Sequence, residues 1–347
     1  MRTALVVGVG LLGACVPNEH PPWLVDHPMP WGIIASVVEP GGYSSDLVVP
    51  DDRVRASALP LDTLELQWIT AAPPGVTVPS PIWFVCPDYC DGLPVDEPIP
   101  ACPFPLPLSR SEHCRLGEGE RVRLGLGGAY TADELFRGYI GVMGITGDGT
   151  VDPETCLQRF RTVPRAGLEH CLVQARALRL GPLGRMLSAV PALADFYTVE
   201  GGLPDDIADE PADFHPVLTG LRVLHIGRGF REFIAQPGDT ITVRVGDYVS
   251  VDPQYTADSE QTHYAFSQVP GQPGHLRPVP DEERIRVRFG ISTFVEDRGD
   301  PNDDLLHGWS VPDEPDPIML YLYIGDNRQG RAFATLRFVV EDASPAP

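Results

Sequence analysis

The chain has 347 residues, 43% of them hydrophobic, with 48 acidic against 26 basic residues and a net charge of −22 at pH 7. Every basic residue is arginine, which excludes the lysine chemistries: P-loop, Schiff base, pyridoxal and kinase-type ion pair. So acidic a surface repels nucleic acid and anionic headgroups, while the length and apolar content allow two domains with real cores.

The N-terminal stretch MRTALVVGVGLLGACVPNEHPPW contains Gly8-Val9-Gly10-Leu11-Leu12-Gly13, formally a dinucleotide fingerprint. That fingerprint needs a helix directly after the glycines. Pro17, Pro21 and Pro22 deny it one. The same residues fit an export signal: Arg2 as a positive start, a short apolar run, then small residues. The run is too short to remain as a bilayer span. Leu12-Gly13-Ala14-Cys15 resembles the lipobox of bacterial lipoproteins. The resemblance implies cleavage after residue 14, a diacylglycerol on the Cys15 thiol and acylation of the new amino group. It also implies a membrane partner through that lipid. Val16, rather than Asp, after the cysteine implies sorting to the outer membrane of the cell envelope, with either face open.

Residues 15–30 are proline-rich and aperiodic, and read as an extended tether. From 31 onward short strands follow one another: WGIIASVVEP, DRVRASALP, TLELQWITA and PIWFVCP. In the third, Leu64, Leu66 and Trp68 alternate with Glu65 and Gln67, the period of a half-buried strand. Trp68 is placed like the buried tryptophan of immunoglobulin-like sheets, without the cysteine that would bridge them. Residues 31–213 are therefore expected to form a β-sandwich, elaborated over about 87–213 by a cysteine-rich insertion with short helices. Thr131-Ala132-Asp133-Glu134 is a capping box for one such helix. The stretch 168–190 fits helix or strand equally.

Apart from Cys15, the cysteines are Cys86, Cys90, Cys102, Cys114, Cys156 and Cys171, an even number confined to the middle of the chain. In an exported protein they are expected as disulfides, in any of fifteen pairings. Zinc is the lesser reading, because His113 and His170 sit beside cysteines but no second close pair accompanies Cys86-x-x-x-Cys90.

Residues 214–343 carry five strand candidates: LRVLHIGRG, DTITVRVGDYVSV, ERIRVRFGISTFVED, IMLYLYIGD and RAFATLRFVVED. The last two read as a hairpin across GDNRQG. Their pattern resembles the closing strands of bacterial Ig-like and PKD-like modules, which implies a spacer, adhesin or binding platform. An independent antiparallel sandwich is expected, with Ile285, Val287, Phe289, Leu320, Leu322 and Phe338 in its core and Arg286 and Arg288 facing solvent. The fold class is thus mainly β, two antiparallel sandwiches.

No G-x-S-x-G elbow, H-E-x-x-H or P-loop occurs. Paired acids such as Asp205-Asp206 and Glu282-Glu283 lie in proline-rich turns and read as solvated. One acidic run, around Asp297, Asp300, Asn302, Asp303 and Asp304, is dense enough in oxygen for a calcium site, with a solvated loop as the commoner outcome. Gly147 to Asp152 is a thinner version. The expectation is a lipid-anchored cell-envelope module that binds an envelope protein or glycan, or acts as a spacer, and catalyses nothing. The alternative is an exported hydrolase of a glycan or peptide, with its site in the disulfide-rich middle.

Overall fold

Alternation decides the first pair of sheets. The structure, a computed structural model, describes residues 21–341 except 22, 46, 88–89, 96, 108–111, 129–138, 163–165, 190–196, 208–209, 296–307 and 314–316. Strands β1 (Met29–Glu39), β2 (Thr63–Ala71) and β5 (Arg121–Gly125) form one sheet in the order β1-β2-β5. Leu64, Leu66 and Trp68 of β2 are buried, as their period requires, and Glu65 turns outward to pair with Arg121 at 2.8 Å. They face a second sheet, ordered β4-β3-β6-β7, of β3 (Ile82–Cys86), β4 (Cys114–Glu118), β6 (Tyr139–Gly147) and β7 (Cys171–Arg179). Trp68 and Trp83 meet edge-on across this interior, ring centroids 6.0 Å apart.

The other face of the second sheet is covered by α1 (Pro153–Arg161). Asp152 starts this helix by accepting the Thr155 amide at 2.9 Å, and Pro153 occupies the first turn, where its missing N–H costs nothing. Leu157 and Phe160 then pack on Phe84, Met143 and Ile145. The stretch 168–190 proves to be both alternatives in succession: β7, then helix α2 (Leu183–Ala189). DRVRASALP is not a strand. It is irregular backbone held by isolated bridges from Arg55 to Phe214 and from Ala58 to Leu180.

The six cysteines form disulfides Cys86–Cys90, Cys102–Cys114 and Cys156–Cys171. Among the described residues no cluster of three or more His, Cys, Asp or Glu side chains could hold a metal. The zinc reading falls because every one of these sulfurs is spent on a disulfide.

The second pair of sheets has its own core. One sheet, ordered β10-β9-β12-β16, comprises β9 (Leu218–Ile226), β10 (Phe230–Ala235), β12 (Tyr248–Tyr255) and β16 (Trp309–Ser310). The other, ordered β11-β18-β17-β15, comprises β11 (Thr240–Arg244), β15 (Arg286–Ile291), β17 (Ile318–Gly325) and β18 (Arg331–Glu341). The stretch expected as a single strand, DTITVRVGDYVSV, breaks at Gly246, where φ is +81°, and its halves join opposite sheets. Strand β11 runs parallel to β18, so this sandwich is not wholly antiparallel. Leu320, Leu322 and Phe338 are in the core as expected. Ile285, Val287 and Phe289 are only half-buried, because β15 lies at the sheet edge. Part of that edge is taken by the N-terminal segment: Val25 donates to the Ile291 carbonyl and Ile291 to the Trp23 carbonyl, both at 2.8 Å. Val25 is fully buried, so the extended tether expected to reach residue 30 gives way by Trp23.

The two sandwiches pack on each other. The outer face of β1 and β2 (Trp31, Ile69, Ala71) packs against Tyr321 of β17. Gly32 and Gly290 permit the approach, since a Cβ at either would strike Tyr323 or Trp31. A further hairpin, β13 (Thr262–Gln268) with β14 (His275–Glu282), leaves the second half of the chain and sends Leu276 and Phe266 to the first core. The two-residue strand β8 (Thr198–Val199) pairs with β14 in parallel.

Candidate functional site

The hairpin β13–β14, helix α2 and the turn between β17 and β18 surround a cleft of about 540 Å³. Asp281 of β14 lines it, and its two other acids come from the segment Glu210-Pro211-Ala212-Asp213-Phe214-His215. Prolines keep that segment extended, and it lies beside residues 54–56, with Ala56 donating to the Asp213 carbonyl at 2.7 Å and His215 to the Val54 carbonyl at 2.9 Å.

Each acid is tied by one oxygen and leaves the other without a partner. Glu210 Oε1 accepts the Tyr264 amide at 3.0 Å, and Asp213 Oδ2 accepts the Gln329 amide at 2.9 Å. Glu210 Oε2 and Asp213 Oδ1 are buried and unpartnered, and both residues line the cleft. Gly184 at the start of α2 makes room for Glu210: a Cβ there would lie 2.9 Å from Oε2 and 2.2 Å from Ile207. Burial, with Asp326 and Glu283 adding repulsion, holds the Asp213 carboxyl up at about 7. Burial also raises Glu210.

Behind these acids stands a buried charge network. Arg328 donates to Glu283 Oε1 at 2.9 Å, and Asp326 Oδ1 accepts the backbone amides of Arg328 and Gly330 at 2.8 and 3.0 Å. Arg331 lies 3.5 Å from Asp326. Burial, with repulsion from Asp326, lifts Glu283 to about 7. Glu283 is thus not the solvated loop acid its setting suggested. Asp206 lies outside the cleft lining and accepts the Tyr264 hydroxyl at 2.8 Å. His263 also lines the cleft; its Nδ1 is unpartnered, and burial and Arg328 lower its pKa. Tyr139, Tyr197, Tyr264 and Phe266 supply aromatic walls.

A serine–histidine pair lies outside the cleft lining. Ser36 Oγ is 2.9 Å from His215 Nε2, the spacing of a nucleophile and its base. Here the base role is closed. His215 Nδ1 accepts the Arg331 amide at 2.9 Å, so the ring proton sits on Nε2, facing Ser36. Burial and the Arg176 charge press the imidazole down to about 4, which keeps it in that neutral form.

The residues singled out from sequence lie elsewhere. The disulfides pin the first sandwich away from the cleft lining. Cys15, Asp297, Asp300, Asn302, Asp303, Asp304 and the capping box at 131–134 fall outside the described residues. In the thinner acidic fragment, Asp148 is engaged by Thr150 and His170, at 2.6 and 2.8 Å, which hold its carboxyl down at about 2. Sequence reasoning missed Glu210 and Asp213. The available signal was the one acid and two arginines of the GDNRQGR turn, whose buried partners had to come from another part of the chain.

No known protein-family model matches the chain, and no curated protein or solved structure does so either.

Proposed function

We propose that the mature chain is a lipid-anchored protein of the cell envelope that binds a ligand in the cleft between hairpin β13–β14 and helix α2, without catalysis. One observation carries this reading: two buried carboxylates of the cleft lining each direct one oxygen to a protein amide and leave the other buried without a partner. A buried acceptor without a donor costs about 1–3 kcal/mol, which a spacer has no reason to carry and a ligand can recover. The N-terminal run that resembles an export signal and the three disulfides support the location.

Two measurements test it. Metabolic labelling with a palmitate analogue should mark the wild-type chain and not Cys15→Ser; an unlabelled wild type ends the lipid anchor. Fractionated envelope extract should raise the unfolding temperature of the purified mature protein and leave Asp213→Asn unmoved. Equal shifts in both proteins would end the cleft reading.

One observation favours hydrolysis as a second reading. Glu210 and Asp213 belong to the middle of the chain, and a carboxyl held at about 7 suits a general acid at neutral pH. Release of reducing ends from an envelope glycan, lost in Asp213→Asn, would establish that reading over simple binding.

A further inference from the structure

The chemistry of the cleft identifies the class of ligand. The charge network behind it is answered within the protein: Glu283 by Arg328 at 2.9 Å, Asp326 by Arg331 at 3.5 Å. An anion entering would meet Glu210, Asp213 and Asp281 in the lining, inside a protein of net charge −22. A cation would meet Arg179 and Arg328 in the same lining. The lining thus carries both signs, three acids and two arginines, and favours neither kind of ion.

What remains unanswered is hydrogen bonding. Glu210 Oε2 and Asp213 Oδ1 want donors, and His263 Nδ1 can donate or accept. Hydroxyl groups do both. Tyr139, Tyr197, Tyr264 and Phe266 add flat apolar faces against which the C–H face of a sugar ring can lie while its hydroxyls reach the acids. The cleft volume of about 540 Å³ falls in the range that encloses small ligands, here about two to three sugar rings. Gly184, next to the lining residue Leu183, leaves Glu210 its place, since any side chain there would press on Ile207 and Glu210.

We propose that the cleft binds a neutral, multiply hydroxylated ligand, a short stretch of glycan, with Glu210 and Asp213 accepting from its hydroxyls and Tyr264 and Phe266 stacking on its rings. This rests on reading the cleft as the ligand site. Isothermal titration of the mature chain tests it with three kinds of probe: neutral tetrasaccharides (β-1,4-glucan, chitin and α-1,4-glucan), spermidine and inorganic phosphate. At least one tetrasaccharide should bind, roughly tenfold more weakly in Asp213→Asn, where an NH₂ group replaces or competes with the accepting oxygen. Tyr264→Ala should weaken it similarly, and supplies the test should Asp213→Asn fail to fold. Spermidine or phosphate binding with the same sensitivity to these variants would overturn the glycan class and leave the cleft as a ligand site. Tetrasaccharide binding unaffected by either variant would place the sugar elsewhere and overturn the proposal. No heat from any probe at millimolar concentration would also overturn it; a surviving extract-induced shift in unfolding temperature would then separate that outcome from failure of the cleft reading.

Discussion

The backbone N–H of Gln329 donates to Asp213 Oδ2 at 2.9 Å, joining positions 116 residues apart. Arg176 of β7 grips the same turn from the first sandwich. Its guanidinium donates to the Gln329 carbonyl at 2.7 Å, to Gln329 Oε1 at 3.1 Å and to the Ile33 carbonyl. The β17–β18 turn therefore shapes the cleft and fastens the two halves of the chain. Burial brings the Arg176 pKa down to about 10, and the group stays charged at neutral pH.

Arg176→Met should cost about 2–4 kcal/mol, because the carbonyls of Ile33 and Gln329 would lose a charged donor in a buried setting. Arg176→Lys should recover only part of this, since a single ammonium cannot reproduce the spread fork of the guanidinium. Urea unfolding checks both. An unchanged midpoint in Arg176→Met would mean that this junction contributes nothing to stability.

Acidification from about pH 8 to about pH 5.5 should stabilise the fold. Asp213 and Glu283 are both raised to about 7, above the ordinary carboxyl value, so the native state holds protons that the unfolded chain releases. Their contribution is present below the unfolded value and is lost as pH rises towards 7. His215, lowered to about 4, acts oppositely, removing stability as pH falls from about 6.5. Glu210 is raised as well and His263 lowered, so acids and imidazoles oppose each other; the two carboxyls at about 7 leave a net gain, of order 2 kcal/mol from Asp213 alone between pH 7 and 5.5. Thermal unfolding across this range should show the rise, and Asp213→Asn should flatten it. An equally steep rise in that variant would assign the effect to general surface repulsion.

The disulfides should contribute unequally. The bridges span 4, 12 and 15 residues, shorter loops than the wide cysteine spacing allowed for. Loop closure then gives about 2 kcal/mol for Cys86–Cys90 and about 3 kcal/mol for each of the others. Unfolding of the three paired Cys→Ser variants should follow that order. Mass spectrometry of the unreduced protein should find no free thiol among the six; even one would contradict the pairing.

The strands that alternate cleanly were legible because each side of such a strand has one fixed environment. Leu64-Glu65-Leu66 and Leu320-Tyr321-Leu322 are examples, although in the second the outward residue meets another sandwich rather than water. Strands β10, β13 and β14 were not legible. THYAFSQ and HLRPVPDE mix polar and apolar residues without a period, and their partners are each other and the distant β8. The cleft was harder still. Asp213 looks like any loop acid until Gln329 and Arg328 are brought to it, and nothing local specifies that long-range contact. Asp152-Pro153-Glu154 holds a cap, a first-turn proline and an acid together, a local helix start that reading Gly147 to Asp152 as an acidic fragment passed over.

Strand β15 gives a test that separates sheet period from domain stacking. By alternation alone, Arg286 and Arg288 share one solvent-facing side. Both are exposed, and the guanidinium of Arg288 in addition lies over the Trp31 ring, 4.2 Å from its centroid. Arg286→Ala should therefore stay within about 0.5 kcal/mol of wild type, as a surface change does. Arg288→Ala should cost about 1 kcal/mol through lost cation–π contact and packing of its stem. Leu322→Asp, at a fully buried position, should leave an unpaired charge in the core and prevent folding. Val287→Asp should be milder, because Val287 is half-buried at the sheet edge and its carboxylate can turn towards water. Denaturant midpoints of the four variants check the series. Equal effects of the two arginine changes would mean that the stacking of the sandwiches on Trp31 adds nothing to stability. Equal effects of the two aspartates would mean that β15 is as deeply enclosed as β17.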